Sequence, residues 1–323
     1  GPGRGVGSSR DRRPVRPRRV SGYVESPVLP FWLSIGLLSL AQAGVVALPG
    51  TLSIPWMRRR RSRLWAAIPP LSVVSFVFVA RAAERASAQS LTYLALVAVP
   101  ILAALALGWL GHGARPALAL LAPALFALAW ADRSGLAGHA AAVALSALSC
   151  VALGVLLAAV TPPRWLAGGI VLMACADAAL VASELLRHPN DTLNAAHPAA
   201  GLPRLQTAIF GSAAMGYGDL FVAGLLGGLL ALGWPAGQRP DLARARQLRG
   251  AALVAGLALA SDLLFFVVDE LPATVPVALA LVLVALGERR AARSRPAEDV
   301  AAAEGVAEGA PVRVTIADSA RRA

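Results

Sequence analysis

The chain consists of long apolar segments separated by short polar ones. A helix that spans a bilayer needs about 20 mainly apolar residues, with a range of about 17–25. Segments that meet or approach this length lie at 30–49, 64–80, 91–110, 116–131, 139–160, 165–186, 207–234, 248–268 and 272–288. The pattern therefore predicts an all-α, polytopic membrane protein, with about nine transmembrane helices in a domain that covers residues 30–288.

The two ends of the chain lack this pattern. Residues 1–29 are rich in arginine, proline and glycine, and residues 289–323 are rich in alanine, glutamate and arginine. Segments with so few large apolar residues cannot bury enough surface to fold by themselves. A disordered basic tail is predicted at the N-terminus, and a disordered polar tail at the C-terminus.

Composition restricts the class of protein further. Of 323 residues, 57% are hydrophobic and only 15% are charged, which is too apolar for a soluble domain. The net charge is +12, and every basic residue other than histidine is an arginine. These arginines lie in short runs beside apolar segments and do not alternate with aromatic residues, which favours a lipid bilayer and not nucleic acid as the partner. The arginine- and alanine-rich usage is typical of a GC-rich bacterial genome, so a bacterial plasma membrane is the predicted location.

Alternate loops are basic, and this alternation predicts an orientation. Arginines follow the first, third, fifth, seventh and ninth segments, whereas the other loops are nearly neutral or acidic. Because basic loops stay in the cytoplasm, the C-terminus is predicted inside and the N-terminus outside. The basic N-terminal tail contradicts this orientation, but several loops agree on it. The loop arginines are Arg58, Arg59, Arg60, Arg61, Arg63, Arg115, Arg164, Arg239, Arg244, Arg246, Arg249, Arg289, Arg290, Arg293 and Arg295.

Two aspartates lie inside apolar segments, Asp177 in 165–186 and Asp219 in 207–234. A carboxylate at membrane depth costs at least about 2.5 kcal/mol, so it needs a partner or a task. At a rise of about 1.5 Å per residue, each aspartate lies ~14–18 Å from the same membrane face if both segments are continuous helices. We therefore expect the two side chains to meet and to share one proton, as paired carboxyl groups do in aspartic proteases.

The residues around Asp219 favour a functional role. Gly216, Tyr217 and Gly218 precede it in the sequence GYGD. Glycine allows another backbone to approach closely, so helix packing is the alternative explanation for this pair of glycines. The residues around Asp177 are alanines, which would also allow close packing, and a structural hydrogen bond to a neighbouring helix is the alternative for that aspartate.

Taken together, these motifs resemble those of the presenilin/signal peptide peptidase family of GxGD intramembrane aspartyl proteases. The resemblance rests on one aspartate in the sixth segment, GxGD in the seventh and a proline motif that opens the ninth. Pro272-Ala273-Thr274 is similar to the family's Pro-Ala-Leu motif, with threonine in place of leucine. Pro276-Val277-Ala278-Leu279 is a looser match. Ala176 stands where the family has the tyrosine of a Tyr-Asp pair.

The resemblance implies a bundle of nine helices and an aspartic endopeptidase that needs no cofactor or metal. It implies that Asp177 and Asp219 are the catalytic residues. It also implies supporting roles at the active site for Gly216, Tyr217, Gly218, Pro272 and Ala273. The implied substrates are single-span membrane proteins or signal peptides. An outside N-terminus is similar to signal peptide peptidase, and it suits substrates whose own N-terminus is cytoplasmic.

Other functions remain open at this stage. A proton-coupled secondary transporter could use Asp177, Asp219 and Asp262 as a relay, although no repeated halves are visible. Prepilin-peptidase-type enzymes also contain GxGD, but they carry a lysine where this chain has Phe221. A catalytically inactive family member is a further alternative. Two histidines and an aspartate in the loop after the sixth segment fit no standard metal site, so a solvated loop is predicted there.

Overall fold

The computed structural model describes residues 29–51, 62–71, 84–183, 201–232, 240–268 and 271–307, without the side chains of 84–88, 240–241 and 291–307. Most of these residues are helical. The α-helices are α1 (Phe31–Ala47), α2 (Glu84–Leu105), α3 (Leu121–Ala131), α4 (Leu136–Val160), α5 (Pro163–Ala182), α6 (Tyr217–Ala231), α7 (Pro240–Asp262) and α8 (Thr274–Ala307). Shorter turns of helix lie at Arg63–Ala67, Ala106–Leu110, Pro116–Leu120 and Leu263–Phe266. Most of the second predicted span, nearly all of the N-terminal tail and the end of the C-terminal tail lie outside the described residues.

The helices have the dimensions and composition of a membrane protein. Four are long and apolar enough to cross a membrane, Gln89–Leu110, Leu136–Val160, Pro163–Ala182 and Leu242–Phe266. Three shorter apolar helices lie at Phe31–Ala47, Pro116–Ala131 and Tyr217–Ala231. Many large apolar side chains are exposed on the outside of the bundle. Such a surface is suited to lipid contact and not to water.

Helix α6 lies at the centre of the bundle, where it contacts α1, α4, α5, α7 and α8. Its closest neighbour is α4, and glycine makes this approach possible. A Cβ atom added at Gly224 would overlap the carbonyl oxygen of Cys150, and one added at Gly154 would overlap that of Gly224. Small residues of this kind let membrane helices pack backbone against backbone.

The prediction of one continuous helix over 207–234 is wrong. Strands β1 (Thr207–Phe210) and β2 (Ala213–Gly216) form an antiparallel hairpin, and α6 begins only at Tyr217. Glycine at the first position of a two-residue loop is typical of a tight hairpin, and Gly211 has φ of +56° there. Apolar composition alone does not separate a short buried strand from a helix, which explains the error.

The hairpin leads into the start of α6 and packs against two helices. Its first strand is packed against α4 and α1, and Thr207 and Ala208 are buried. Non-helical backbone is tolerated at membrane depth where protein covers it. At the turn, the Ser212 hydroxyl donates to the Leu29 carbonyl oxygen at 2.9 Å, which attaches the hairpin to the start of α1. We call this end of the bundle the hairpin face.

The last helix is longer than predicted. Helix α8 begins at Thr274 and continues to Ala307, beyond the predicted end at 288. Residues 289–307, which we predicted to be part of a disordered tail, are therefore helical in the structure. Alanine, glutamate and arginine have high helix propensity, and a helix that is already nucleated can extend through them.

Several helix ends lie together at the opposite end of the bundle, which we call the arginine face. The ends of α1 and α4, the end of the α2 segment at Leu110, the start of α7 and residue 288 of α8 meet there. The contacts are Gly50 N–H to Leu110 O at 2.8 Å, Ser62 N–H to Val160 O at 3.0 Å, Arg244 Nη1 to Ala47 O at 2.5 Å, and an ion pair between Arg246 and Glu288. Helix α1 and the α2 segment therefore both end on this face.

Candidate functional site

Three helices in mutual contact, α5, α6 and α8, each contribute one polar residue to the same place. These residues are Asp177 on α5, Asp219 on α6 and Thr274 on α8. Asp177 lies near enough to Asp219 to act on its carboxyl group electrostatically. The two aspartates, which are 42 positions apart in the sequence, therefore lie within electrostatic range of each other.

The position of Asp219 differs from the prediction. It lies in the first turn of α6, with Gly216 as the N-cap residue, and not in the middle of a span. Its Oδ2 atom accepts a hydrogen bond from the Gly216 backbone N–H at 3.2 Å. This is the backward bond of a capping box, and the positive end of the helix dipole favours a carboxylate there. The cap orients the side chain and occupies one of its two oxygens.

Asp177 is held by a residue that the sequence had not singled out as a ligand. The Thr274 hydroxyl donates to Asp177 Oδ2 at 2.6 Å, and Thr274 is only 2% exposed. Thr274 opens α8 directly after Pro272 and Ala273, so the proline motif does lie beside the aspartates. The sequence did offer a signal for this contact, since position 274 holds a polar threonine where the motif that it resembles has leucine.

The carboxyl groups are not sealed inside the bundle. Asp177 and Asp219 are both half-buried, and Gly216 and Gly218 beside them are exposed. A Cβ atom added at Gly218 would lie 3.9 Å from the Met173 Cε atom, one turn before Asp177 on α5. The two acids therefore lie at the edge of the described bundle and not in its closed interior.

Tyr217 connects the start of α6 to helix α4. Its hydroxyl lies 2.7 Å from the Ser149 Oγ atom on α4. Because Ser149 donates its single hydroxyl proton to the Ser146 carbonyl oxygen at 2.7 Å, Tyr217 is the donor to Ser149. The tyrosine of GYGD thus attaches the first turn of α6 to α4 and does not contact the carboxyl groups through its hydroxyl.

Gln42 on α1 is a second residue that sequence reasoning missed. It is fully buried, and its Nε2 atom donates to the Ala273 carbonyl oxygen at 2.9 Å and to the Asp219 carbonyl oxygen at 3.3 Å. One amide therefore touches both the GYGD turn and the proline motif. A glutamine inside an apolar segment was the signal that could have found it.

Asp262, the third acid in an apolar segment, is not part of this pair. It lies at the end of α7 and accepts a hydrogen bond from the Ser39 hydroxyl on α1 at 2.8 Å. Among the described residues, no three histidine, cysteine or acidic side chains are grouped as metal ligands. His188, Asp191 and His197 lie outside the described residues.

A separate cavity of about 320 Å³ lies between the end of α3, the start of α4 and the segment that leads into β1. Arg133, His139 and Arg204 line it, and Arg133 donates to the Gly201 carbonyl oxygen. Burial lowers the pKa of the Arg204 guanidinium. None of the residues that line this cavity contacts Asp177 or Asp219 through the bonds described above, so the cavity is distinct from the acid pair.

The described residues thus bring one polar cluster together from four helices that are distant in sequence. It consists of Asp177, Asp219, Thr274 and Gln42, with the exposed Gly216 and Gly218 at its open side. Comparisons with models of known protein families, with curated protein sequences and with solved structures gave no match.

Proposed function

We propose that this protein is an intramembrane aspartyl protease that hydrolyses peptide bonds within transmembrane segments, with Asp177 and Asp219 as its catalytic pair. The observation that carries the proposal is the placement of these two half-buried carboxyl groups, within electrostatic range of each other, on apolar helices that are in contact. Two such groups in lipid surroundings cost free energy unless they have a task. The resemblance of GYGD and of Pro272–Thr274 to the family motifs supports the same conclusion.

The chemistry follows from a pair of acids that shares one proton. The ionised carboxylate removes a proton from a water molecule, whose oxygen attacks the carbonyl carbon of the scissile bond. The protonated carboxyl group donates its proton to the carbonyl oxygen, which yields a tetrahedral diol. The carboxyl group that took the water proton then donates it to the amide nitrogen, the other carboxylate takes a proton from a diol hydroxyl as the C–N bond breaks, and the pair again holds one proton.

The hairpin supplies a place for an unwound substrate. A carbonyl inside an α-helix is engaged in an intrahelical hydrogen bond, so a transmembrane substrate must become extended before cleavage. Among the described residues the sheet has only two strands, so β2 presents an unpaired edge and leads directly into the turn that carries Asp219. An added strand on that edge would pass beside the acid pair.

The proposal includes nine membrane crossings, a cytoplasmic C-terminus and an outside N-terminus in a bacterial plasma membrane. The contacts at the arginine face support this orientation. The helix ends that meet there belong to segments that follow the first, third, fifth, seventh and ninth predicted spans, and these segments carry arginines. Helix α1 and the α2 segment both end on this face, as a topology with a crossing between them requires. The orientation suits single-span substrates or signal peptides with a cytoplasmic N-terminus.

Reporter fusions at Arg295 and within residues 190–200 test this orientation. Alkaline phosphatase should be active only in the 190–200 fusion, and a cytoplasmic fluorescent reporter only at Arg295. The reverse pattern would overturn the topology and the substrate polarity, but it would leave the acid pair untouched.

The activity is tested with the full chain reconstituted in liposomes with single-span model substrates, and the products are identified by mass spectrometry. Asp177→Asn and Asp219→Asn should each lower cleavage by at least about 100-fold, since each removes one acid–base group. Asp262→Asn is the matched control, because its amide can still bond to Ser39. Full cleavage in either dyad variant would sink the proposal.

The same liposomes separate the alternatives. A proton-coupled transporter would move protons inward under a substrate gradient, would leave the substrates uncut, and would lose this flux in Asp262→Asn. An inactive family member would show neither cleavage nor flux. Intact substrates in every variant, including the wild type, would therefore refute the protease proposal.

A further inference from the structure

We propose that Gln42 is a positioning residue for the acid pair, through hydrogen bonds that hold the first turn of α6 against the start of α8. Its catalytic consequence rests on the function proposed above. Its structural consequence, a fixed relative position of Asp177 and Asp219, does not. The two consequences can therefore be measured separately.

The hydrogen bonds of Gln42 form part of a path that links the two aspartates. A glutamine amide nitrogen carries two N–H donors. Gln42 directs its nitrogen to the carbonyl oxygens of Asp219, at 3.3 Å, and Ala273, at 2.9 Å. Ala273 is followed by Thr274, which bonds to Asp177 at 2.6 Å. The path thus runs from the Asp219 backbone through Gln42 and the proline motif to the Asp177 carboxyl group.

The orientation of the amide is determined by its partners. Both partners are carbonyl oxygens, so a flipped amide would place its own oxygen against two acceptors. The Oε1 atom that results is buried and has no hydrogen-bond partner among the described residues. A buried acceptor of this kind is costly unless an O–H or N–H group reaches it. This spare acceptor suits a buried water molecule.

The same helix provides a matched control. Ser39 lies about one turn from Gln42 on α1 and is also buried. Its hydroxyl bonds to Asp262 and not to any residue of the acid pair. Ser39→Ala therefore removes a buried hydrogen bond from α1 without loosening the contact between α6 and α8.

The first measurement needs no activity. Met173→Cys and Gly218→Cys, which leave both carboxyl groups and their hydrogen bonds in place, are introduced together with Cys150→Ala and Cys175→Ser, and disulfide formation is followed with copper phenanthroline in liposomes. Gln42→Met, which keeps the length and volume of the side chain but has no donors, should slow cross-linking several-fold. Ser39→Ala should leave the rate unchanged. Equal rates with Gln42 and Gln42→Met would overturn the inference.

The second measurement uses the otherwise unmodified chain and its cleavage kinetics. Gln42→Met should lower kcat by about 10-fold, because misplaced acid–base groups lose transition-state stabilisation equivalent to a hydrogen bond. KM and the melting temperature should stay close to those of Ser39→Ala. If kcat and melting temperature fall together in both Gln42→Met and Ser39→Ala, Gln42 contributes only to helix packing and the inference is overturned. If the wild type cleaves nothing but the cross-linking result holds, the proposed function fails and the positioning role stands.

Discussion

Replacing Thr274 with valine removes one hydroxyl group from the site and almost nothing else. Valine has nearly the shape of threonine, and Thr274 is 2% exposed, so the packing at the start of α8 should survive. The hydrogen bond to Asp177 Oδ2, at 2.6 Å, is lost. Asp177 would then be free to rotate about its side-chain bonds and would leave its position opposite Asp219 for part of the time.

The size of the effect follows from the kind of bond. A hydrogen bond to a charged group contributes about 1.5–3 kcal/mol. Because Asp177 is half-buried, water can replace part of this bond, so the lower end of the range applies. A loss of about 1.4 kcal/mol in transition-state stabilisation is a factor of about 10 in rate. We therefore expect kcat to fall about 10-fold in Thr274→Val, with little change in KM.

The assay is cleavage of a single-span peptide in liposomes, with initial rates at several substrate concentrations. Thr274→Ser keeps the hydroxyl and is the matched control, so it should retain most of the wild-type kcat. Circular dichroism melting in detergent should show similar stability for both variants. If Thr274→Val and Thr274→Ser have the same kcat, the hydroxyl does not position Asp177 and the reasoning is wrong.

The remaining predictions concern the glycines and the acid pair. Gly224→Ala should lower stability in detergent by about 1–3 kcal/mol because the methyl group overlaps the α4 backbone, whereas Gly256→Ala, with nothing within 4 Å, should not. Gly216→Ala should impair cleavage because its methyl group would lie 3.0 Å from the Asp219 Oδ2 atom, whereas Gly218→Ala should keep the wild-type melting temperature. Cleavage rate against pH should be bell-shaped, because the pair must hold one proton; a rate that only rises or only falls across the pH range would contradict a shared proton.

The acid pair could be predicted from the sequence because aspartate is rarely tolerated in apolar segments. Asp177 and Asp219 stand out in apolar segments, and the cost of a lone carboxylate predicts that each needs a partner. The partners around them were not accessible. Thr274 is 97 positions from Asp177, and Gln42 is 177 positions from Asp219, so only the packing of the helices shows that they touch.

The hairpin could not be read from the sequence pattern. Gly211-Ser212 is a typical hairpin loop, and Thr207, Ile209 and Phe210 favour a strand, but residues 213–216 (AAMG) contain no β-branched or aromatic residue. Helix period and strand period cannot be told apart over four residues, so length alone favoured a helix. As a result Asp219 was expected deep within a helix and is found in its first turn.

By itself, the sequence determined that this chain is helical and apolar, where most of its helices lie, and which two acids need each other. These properties are local, since they depend on hydrophobic runs and on the cost of single charges in lipid. Only the tertiary structure decided how α5, α6 and α8 meet, which hydroxyl binds the Asp177 carboxyl group, and which amide binds the backbone carbonyl oxygen of Asp219. Those contacts depend on backbones that approach closely at glycines such as Gly224, a geometry that composition does not encode.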